Sequence, residues 1–166
     1  MTKQKNKQGR LAHRFGWFLF AVLSVGAGVL SYTLLKPDAY TLQGNKVNWR
    51  NDHQQWRIIN FFAPWCAPCL REIPALNKLA TQLDDKVKIY GVSFDPKTPG
   101  ELNTLVNTLN IHFDVIVVND DTKFPMPYPA YLPATYLISP QGEVKASLYG
   151  EQGEKSIEQA LAKHGI

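Results

Sequence analysis

Residues 57–73 read RIINFFAPWCAPCLREI. Ile58, Ile59, Phe61 and Phe62 open the stretch as a run of β-branched and aromatic side chains, the composition of a buried strand. Ala63-Pro64 ends that run, and Cys66-Ala67-Pro68-Cys69 stands at the turn into a helical pattern. A thiol at such a junction sits at a helix N-terminus, where unpaired N–H groups and the macrodipole favour a thiolate. A lowered pKa makes Cys66 a nucleophile near neutral pH, and Cys69, one turn on, is placed to resolve a mixed disulfide. The spacing points to thiol–disulfide exchange.

Two other uses of the pair compete with that one. A structural staple closing so short a loop restrains the unfolded chain by only about 2 kcal/mol on the loop-entropy formula. A zinc site needs more ligands, yet the chain holds only 2 cysteines, and His53 and His112 stand alone rather than at ligand spacing. The strand before, the helix after and Trp65 at the junction favour the redox use, with no metal and no organic cofactor implied.

The string FFAPWCAPC followed by REIP resembles the thioredoxin superfamily, and within it the membrane-anchored, exported branch similar to TlpA, ResA and CcmG (DsbE). The resemblance covers about residues 40–166. In that branch an Asn commonly stands six residues before the first Cys, where cytoplasmic thioredoxins carry a buried Asp, and this chain has Asn60 there. The resemblance implies a thioredoxin-like α/β fold, a central mixed sheet flanked by helices. It also implies a redox-active Cys66–Cys69 disulfide and an exposed Trp65 that shapes access to Cys66. Leu132-Pro133-Ala134-Thr135 matches the family's cis-proline segment, which packs beside the disulfide and offers backbone groups to substrate, with Leu132, Pro133 and Ala134 as the substrate-binding residues. The glycine that CcmG-type members place before that segment is absent, which points away from a dedicated cytochrome c maturation role.

Glu72 is a further candidate. Its place three residues after Cys69 and four before Leu76 puts it on the inward face of the helix. A carboxylate desolvated beside a thiol has a raised pKa and can shuttle a proton. The bland alternative is a half-exposed Glu paired with Arg71 or Lys78. Spacing leaves the two readings even, and the functional Glu that ResA-like proteins carry here favours the first. Asn60 is expected to support the backbone locally rather than take part in proton transfer. Phe124, Tyr128 and Tyr131 either line the groove at Cys66 or bury their own loop.

The formal charge of +4 divides unevenly. Residues 1–37 hold Lys3, Lys5, Lys7, Arg10, Arg14 and Lys36 with no acid, leaving 12 basic against 14 acidic residues in the rest. The basic excess therefore belongs to the tail and gives no reason to invoke nucleic acid. Between Phe15 and Leu35 no residue is charged. As a helix rising about 1.5 Å per residue, such a run spans roughly the 30 Å of a bilayer's hydrocarbon. Trp17 and Tyr32 suit its two interfaces, and the positive charges before it hold the N-terminus in the cytoplasm. A cleaved signal peptide is the rival, but the run exceeds an ordinary apolar core and no A-x-A follows. The expected division is a cytoplasmic tail over 1–14, a transmembrane anchor over 15–35 and a thioredoxin-like domain over 38–166.

Further along, Gly44-Asn45 predicts a turn in a small leading hairpin, with His53 in a solvated loop. Apolar positions 70, 73, 76, 79, 80 and 83 predict a helix to about Leu83, kinked at Pro74. A strand follows over 87–93. Thr98-Pro99-Gly100-Glu101 combines an N-cap, a Pro at N1 and a Glu at N3, the start of a second helix. Residues 113–118 read as a strand, and 119–133, with four prolines, as a constrained loop. Residues 134–139 and 143–149 form a hairpin, and Ile157, Ala160 and Leu161 carry a closing helix.

These readings combine into a thiol–disulfide oxidoreductase in a bacterial cytoplasmic (inner) membrane, its catalytic domain periplasmic or extracytoplasmic. Its expected partners are disulfide-bearing exported proteins and a membrane electron donor for the dithiol. An oxidant running the same chemistry backwards or a cytochrome c maturation thioredoxin is the alternative enzyme, and a thiol-trapping binding module or holdase without turnover the alternative of another class.

Overall fold

The computed structural model describes residues 36–50, 54–83 and 86–166, and in the N-terminal stretch Trp17, residues 22–26 and Gly28. The chain divides into two units, Met1–Lys36 and Pro37–Ile166. In the first, the described residues up to Gly28 are helical and exposed. Among the described residues no helix is long and apolar enough to cross a membrane. Most of the expected anchor over 15–35, and His53, lie outside the described residues.

The second unit is a seven-stranded mixed sheet in the order β2-β1-β5-β4-β3-β6-β7. Its centre is β3 (Trp56–Phe62), which pairs in parallel with β4 (Val87–Ser93) and antiparallel with β6 (Ala134–Ile138). Six of its seven residues are buried, because both faces are covered. The two-residue period then sorts its side chains. Ile58 and Phe62 enter one core cluster, Ile59 and Phe61 the other. Asn60 therefore shares the face of Ile58 and Phe62.

That face carries the helices. β3 leads through α1 (Ala67–Gln82) into β4, and β4 leads through α2 (Pro99–Thr108) into β5 (Asp114–Val117). Both crossovers step the same way across the sheet, and right-handed crossovers of one direction place their helices on one face. Leu76 and Leu79 of α1, Leu102 of α2 and Ile157 and Leu161 of α3 (Glu154–Ala162) share a single core cluster. The other face is covered instead by Trp49 and by Phe124 and Met126 of the proline-rich loop. Among the described residues, the expected flanking helices thus lie on one face of the sheet.

Local signals explain the boundaries. Thr98 and Glu101 form the reciprocal capping box that opens α2. α1 continues past Pro74, which has no N–H for the Leu70 carbonyl. The leading hairpin of β1 (Ala39–Thr41) and β2 (Lys46–Val47) turns through Gly44 at φ +83°, and β1 adds to the sheet beside β5. β7 (Val144–Tyr149) closes the opposite edge against β6. Gly91 is the neighbour of Asn60 across β3 and β4. A Cβ there would lie 2.9 Å from Phe113 Cε2, so a closely packed helix face requires the glycine.

Candidate active site

β3 ends at Phe62, and the chain turns so that Cys66 becomes the N-cap residue of α1. Its sulfur accepts from the Cys69 N–H at 3.4 Å, one of the N–H groups a helix leaves without an internal partner. A thiolate at this atom is stabilised by that N–H and by the helix dipole. Cys66 and Cys69 are joined in a disulfide, their Cα atoms 5.3 Å apart. Cys66 is 6% exposed and Cys69 wholly buried, so an incoming disulfide meets Cys66 first.

Trp65, beside them, is 64% exposed. Its indole Nε1 donates to Asp95 Oδ2 at 2.7 Å, and its ring meets Phe94 edge-on. Of the loop aromatics, Phe124 packs on Trp49, Phe61 and Tyr128 and so buries the loop. Tyr128 also packs on Phe94 and is half-exposed, while Tyr131 is exposed. The loop ends in a cis Leu132-Pro133 bond, and Ala134, the first residue of β6, pairs with Phe61. Leu132 is half-buried, Pro133 and Ala134 buried.

Glu72 is on the inward face, 1% exposed. It pairs with neither Arg71 nor Lys78, which reach out to Glu151 and Glu154, each at 2.6 Å. Its Oε1 accepts from Asn60 Nδ2, and its Oε2 from the Gln152 backbone N–H at 3.0 Å. Burial pushes its pKa up to about 7, against the pull of those two donors, and the Glu151 charge pushes the same way. A carboxyl group so placed can take or give a proton at neutral pH.

Asn60 corrects the expectation set for it. Its side chain does not support the backbone: Nδ2 bridges Glu72 and Thr135 Oγ1, the latter at 3.0 Å. The reason is register, since Asn60 and Thr135 are directly paired across β3 and β6 and both face α1. Gln152 and Asp95 escaped sequence reasoning, and Thr135 entered it only as the end of the cis-proline segment, not as a partner of Asn60. Pairing register would have found Thr135; a backbone N–H and a loop carboxylate leave no comparable signal. Among the described residues no group of three or more His, Cys, Asp or Glu side chains could hold a metal ion.

The sequence matches the model of the AhpC/TSA family over residues 29–147. The thioredoxin-like protein YneN of Bacillus subtilis is 26% identical over 150 residues, covering 88% of each chain. The thiol-disulfide oxidoreductase ResA of Bacillus thuringiensis is 28% identical over 123 residues, 74% of this chain and 70% of ResA. The crystal structure of StoA from Bacillus subtilis superposes with a TM-score of 0.63 at 17% identity, covering 74% of this chain and 93% of StoA. The chain belongs to the AhpC/TSA family, and within it stands with the thioredoxin-like thiol–disulfide oxidoreductases.

Proposed function

We propose that this oxidoreductase is anchored in the cytoplasmic membrane with its catalytic unit outside, where it reduces disulfides of exported proteins. The observation that carries the reading is the Cys66–Cys69 pair at the N-cap of α1 above a buried Glu72 with a pKa of about 7. The uncharged run over 15–35, preceded by five basic residues and no acid, supports the anchor and its orientation.

In the reduced form the Cys66 thiolate attacks one sulfur of the substrate disulfide. A mixed disulfide forms, and the first substrate thiolate leaves and takes up a proton. Glu72, in its carboxylate form, accepts the proton of the Cys69 thiol. Cys69 then attacks Cys66 Sγ, expelling the second substrate thiolate and closing the Cys66–Cys69 disulfide. Two electrons pass to the substrate. A membrane dithiol donor returns the pair to its reduced state by the same exchange. Trp65 and the Leu132-Pro133-Ala134 segment are the surfaces against which substrate docks, and the cycle uses no cofactor.

Direction is tested by equilibrating the full chain with glutathione buffers. A reductase has a potential nearer that of thioredoxin, about −270 mV, than that of DsbA, about −120 mV. A value above roughly −170 mV would replace the reductase by an oxidant, and failure to reduce insulin with turnover would leave a binding module.

A further inference from the structure

Between β7 and α3 the chain crosses from the cis-proline segment to Glu72 within three residues. Gly150, at φ +82°, donates its N–H to the Pro133 carbonyl at 2.9 Å. Two residues later the Gln152 N–H holds Glu72 Oε2 at 3.0 Å. The Gln152 side chain folds back, its Nε2 donating to the carbonyls of Gly150 at 2.8 Å and Tyr149 at 3.3 Å. Between the two anchors, Glu151 Oε2 takes both Nη2 and Nε of Arg71, at 2.6 and 2.9 Å, and so clamps the turn to α1. One short, internally braced piece of backbone thus joins the Pro133 carbonyl to the Glu72 carboxylate.

We propose that the Gly150–Gln152 turn couples substrate docking at Leu132–Ala134 to the proton held by Glu72. Gln152 is the positioning residue and the Arg71–Glu151 pair its clamp. The inference rests on the role given to Glu72 above. A peptide strand laid against Leu132–Ala134 fixes the Pro133 carbonyl, hence the Gly150 N–H, hence the Gln152 N–H two peptide units on. A firmer N–H at Oε2 favours the carboxylate, the form needed to deprotonate Cys69 in the mixed disulfide. A small disulfide that reaches only Cys66 leaves the turn as it was.

The groups facing Glu72 are consistent with this one path. From β3 comes Asn60, itself bonded to Thr135 of β6, and neither carries charge. From the turn come the Gln152 N–H and the Glu151 charge. Arg71, its neighbour on the same helix, is exposed and turned to Glu151 instead. Glu151 and Arg71 are both exposed, so altering them changes the clamp without opening the core.

The test compares pH profiles of reduction by the full chain with insulin and with hydroxyethyl disulfide. In the wild type the midpoint set by Glu72 lies lower with insulin, by about 0.5 in pH, a threefold change in the ionised fraction. In Gln152→Ala, which keeps the peptide N–H and removes the brace, the two midpoints coincide. Glu151→Gln, a surface change that keeps the fold, brings them together in the same way. Coincident midpoints in the wild type, or a difference kept in both variants, overturn the coupling. Glu72→Gln separates the two ideas: if its profiles match the wild type, the proton role of Glu72 falls first. If they flatten while the turn variants change nothing, only the coupling falls.

Discussion

Asn60 on β3 donates to Glu72 on α1, and this one bond decides what the buried carboxyl can be. The same Nδ2 donates to Thr135, while Asn60 Oδ1, wholly buried, has no partner among the described residues. An amide turned this way offers Glu72 only donors. It serves the carboxylate form, and part of the desolvation penalty is offset by a site built to receive a negative charge.

That balance has a stability consequence with a definite sign. The Glu72 pKa rises from 4.5 to about 7 on folding. Between those values the folded state binds more proton than the unfolded one, so stability falls as pH rises through the interval and levels off above it. Two to three pH units correspond to about 3 kcal/mol. Urea unfolding at pH 5 and pH 8 checks this. Glu72→Gln has no such dependence, so relative to wild type it gains about 3 kcal/mol between the two pH values. Equal pH dependence in both proteins would mean that the carboxyl ionises freely in the fold.

Trp65 depends on Asp95 in a comparable way. The indole is mostly exposed, yet its Nε1 is fixed by a carboxylate thirty residues away in the chain. An unrestrained Trp samples several rotamers, and a docking surface made of it loses definition. Asp95→Ala removes the acceptor, and a lost exposed hydrogen bond of about 1 kcal/mol corresponds to a roughly fivefold lower kcat/KM for insulin. Hydroxyethyl disulfide, too small to need the platform, is reduced at the wild-type rate. Asp95→Asn keeps an acceptor oxygen and restores most of the loss. Steady-state kinetics on the three proteins separates these outcomes.

The parts legible in the sequence are those governed by periodicity and local chemistry. The strand–turn–helix around Cys66 and the capping box at Thr98 follow from spacing, whereas for the buried Glu72 spacing left two readings even and the family resemblance chose between them. What escaped depends on contacts between distant segments. Gln152 touches Glu72 through its main chain, which no side-chain pattern encodes. Arg57 is a charged residue within β3. It is buried, with Nη1 donating to the Trp49 carbonyl at 3.3 Å, because the leading segment folds over the sheet face opposite α1, α2 and α3. That cover by Trp49 and Phe124 was equally hidden, since its two halves lie 75 positions apart in the chain.

The proposed anchor gives an in-cell prediction. With Lys3, Lys5, Lys7, Arg10 and Arg14 kept on the cytoplasmic side, a reporter active only outside the cytoplasm and fused after Ile166 is active. The protein stays with membranes through a carbonate wash and keeps its original N-terminus. A soluble form beginning near residue 30 would identify the apolar run as a cleaved signal.

The thiols themselves give the most direct check on the proposed order of attack. Cys66 is the N-cap, slightly exposed, and receives the Cys69 N–H; Cys69 lies in the first turn and is wholly buried. After reduction, the first therefore ionises more easily and is reached more easily than the second. Alkylation with iodoacetamide, read by mass spectrometry, modifies Cys66 alone. Its rate rises with a midpoint below the ordinary thiol value of about 8.5. Cys69→Ala keeps this nucleophile but removes the resolving thiol, so in cells it accumulates mixed disulfides through Cys66, identifiable after diagonal electrophoresis. Cys66→Ala forms none, because Cys69 cannot reach a substrate without the helix end unwinding. Alkylation at Cys69 in the folded protein, or adducts captured equally by both variants, would reverse the assignment of nucleophile and resolver.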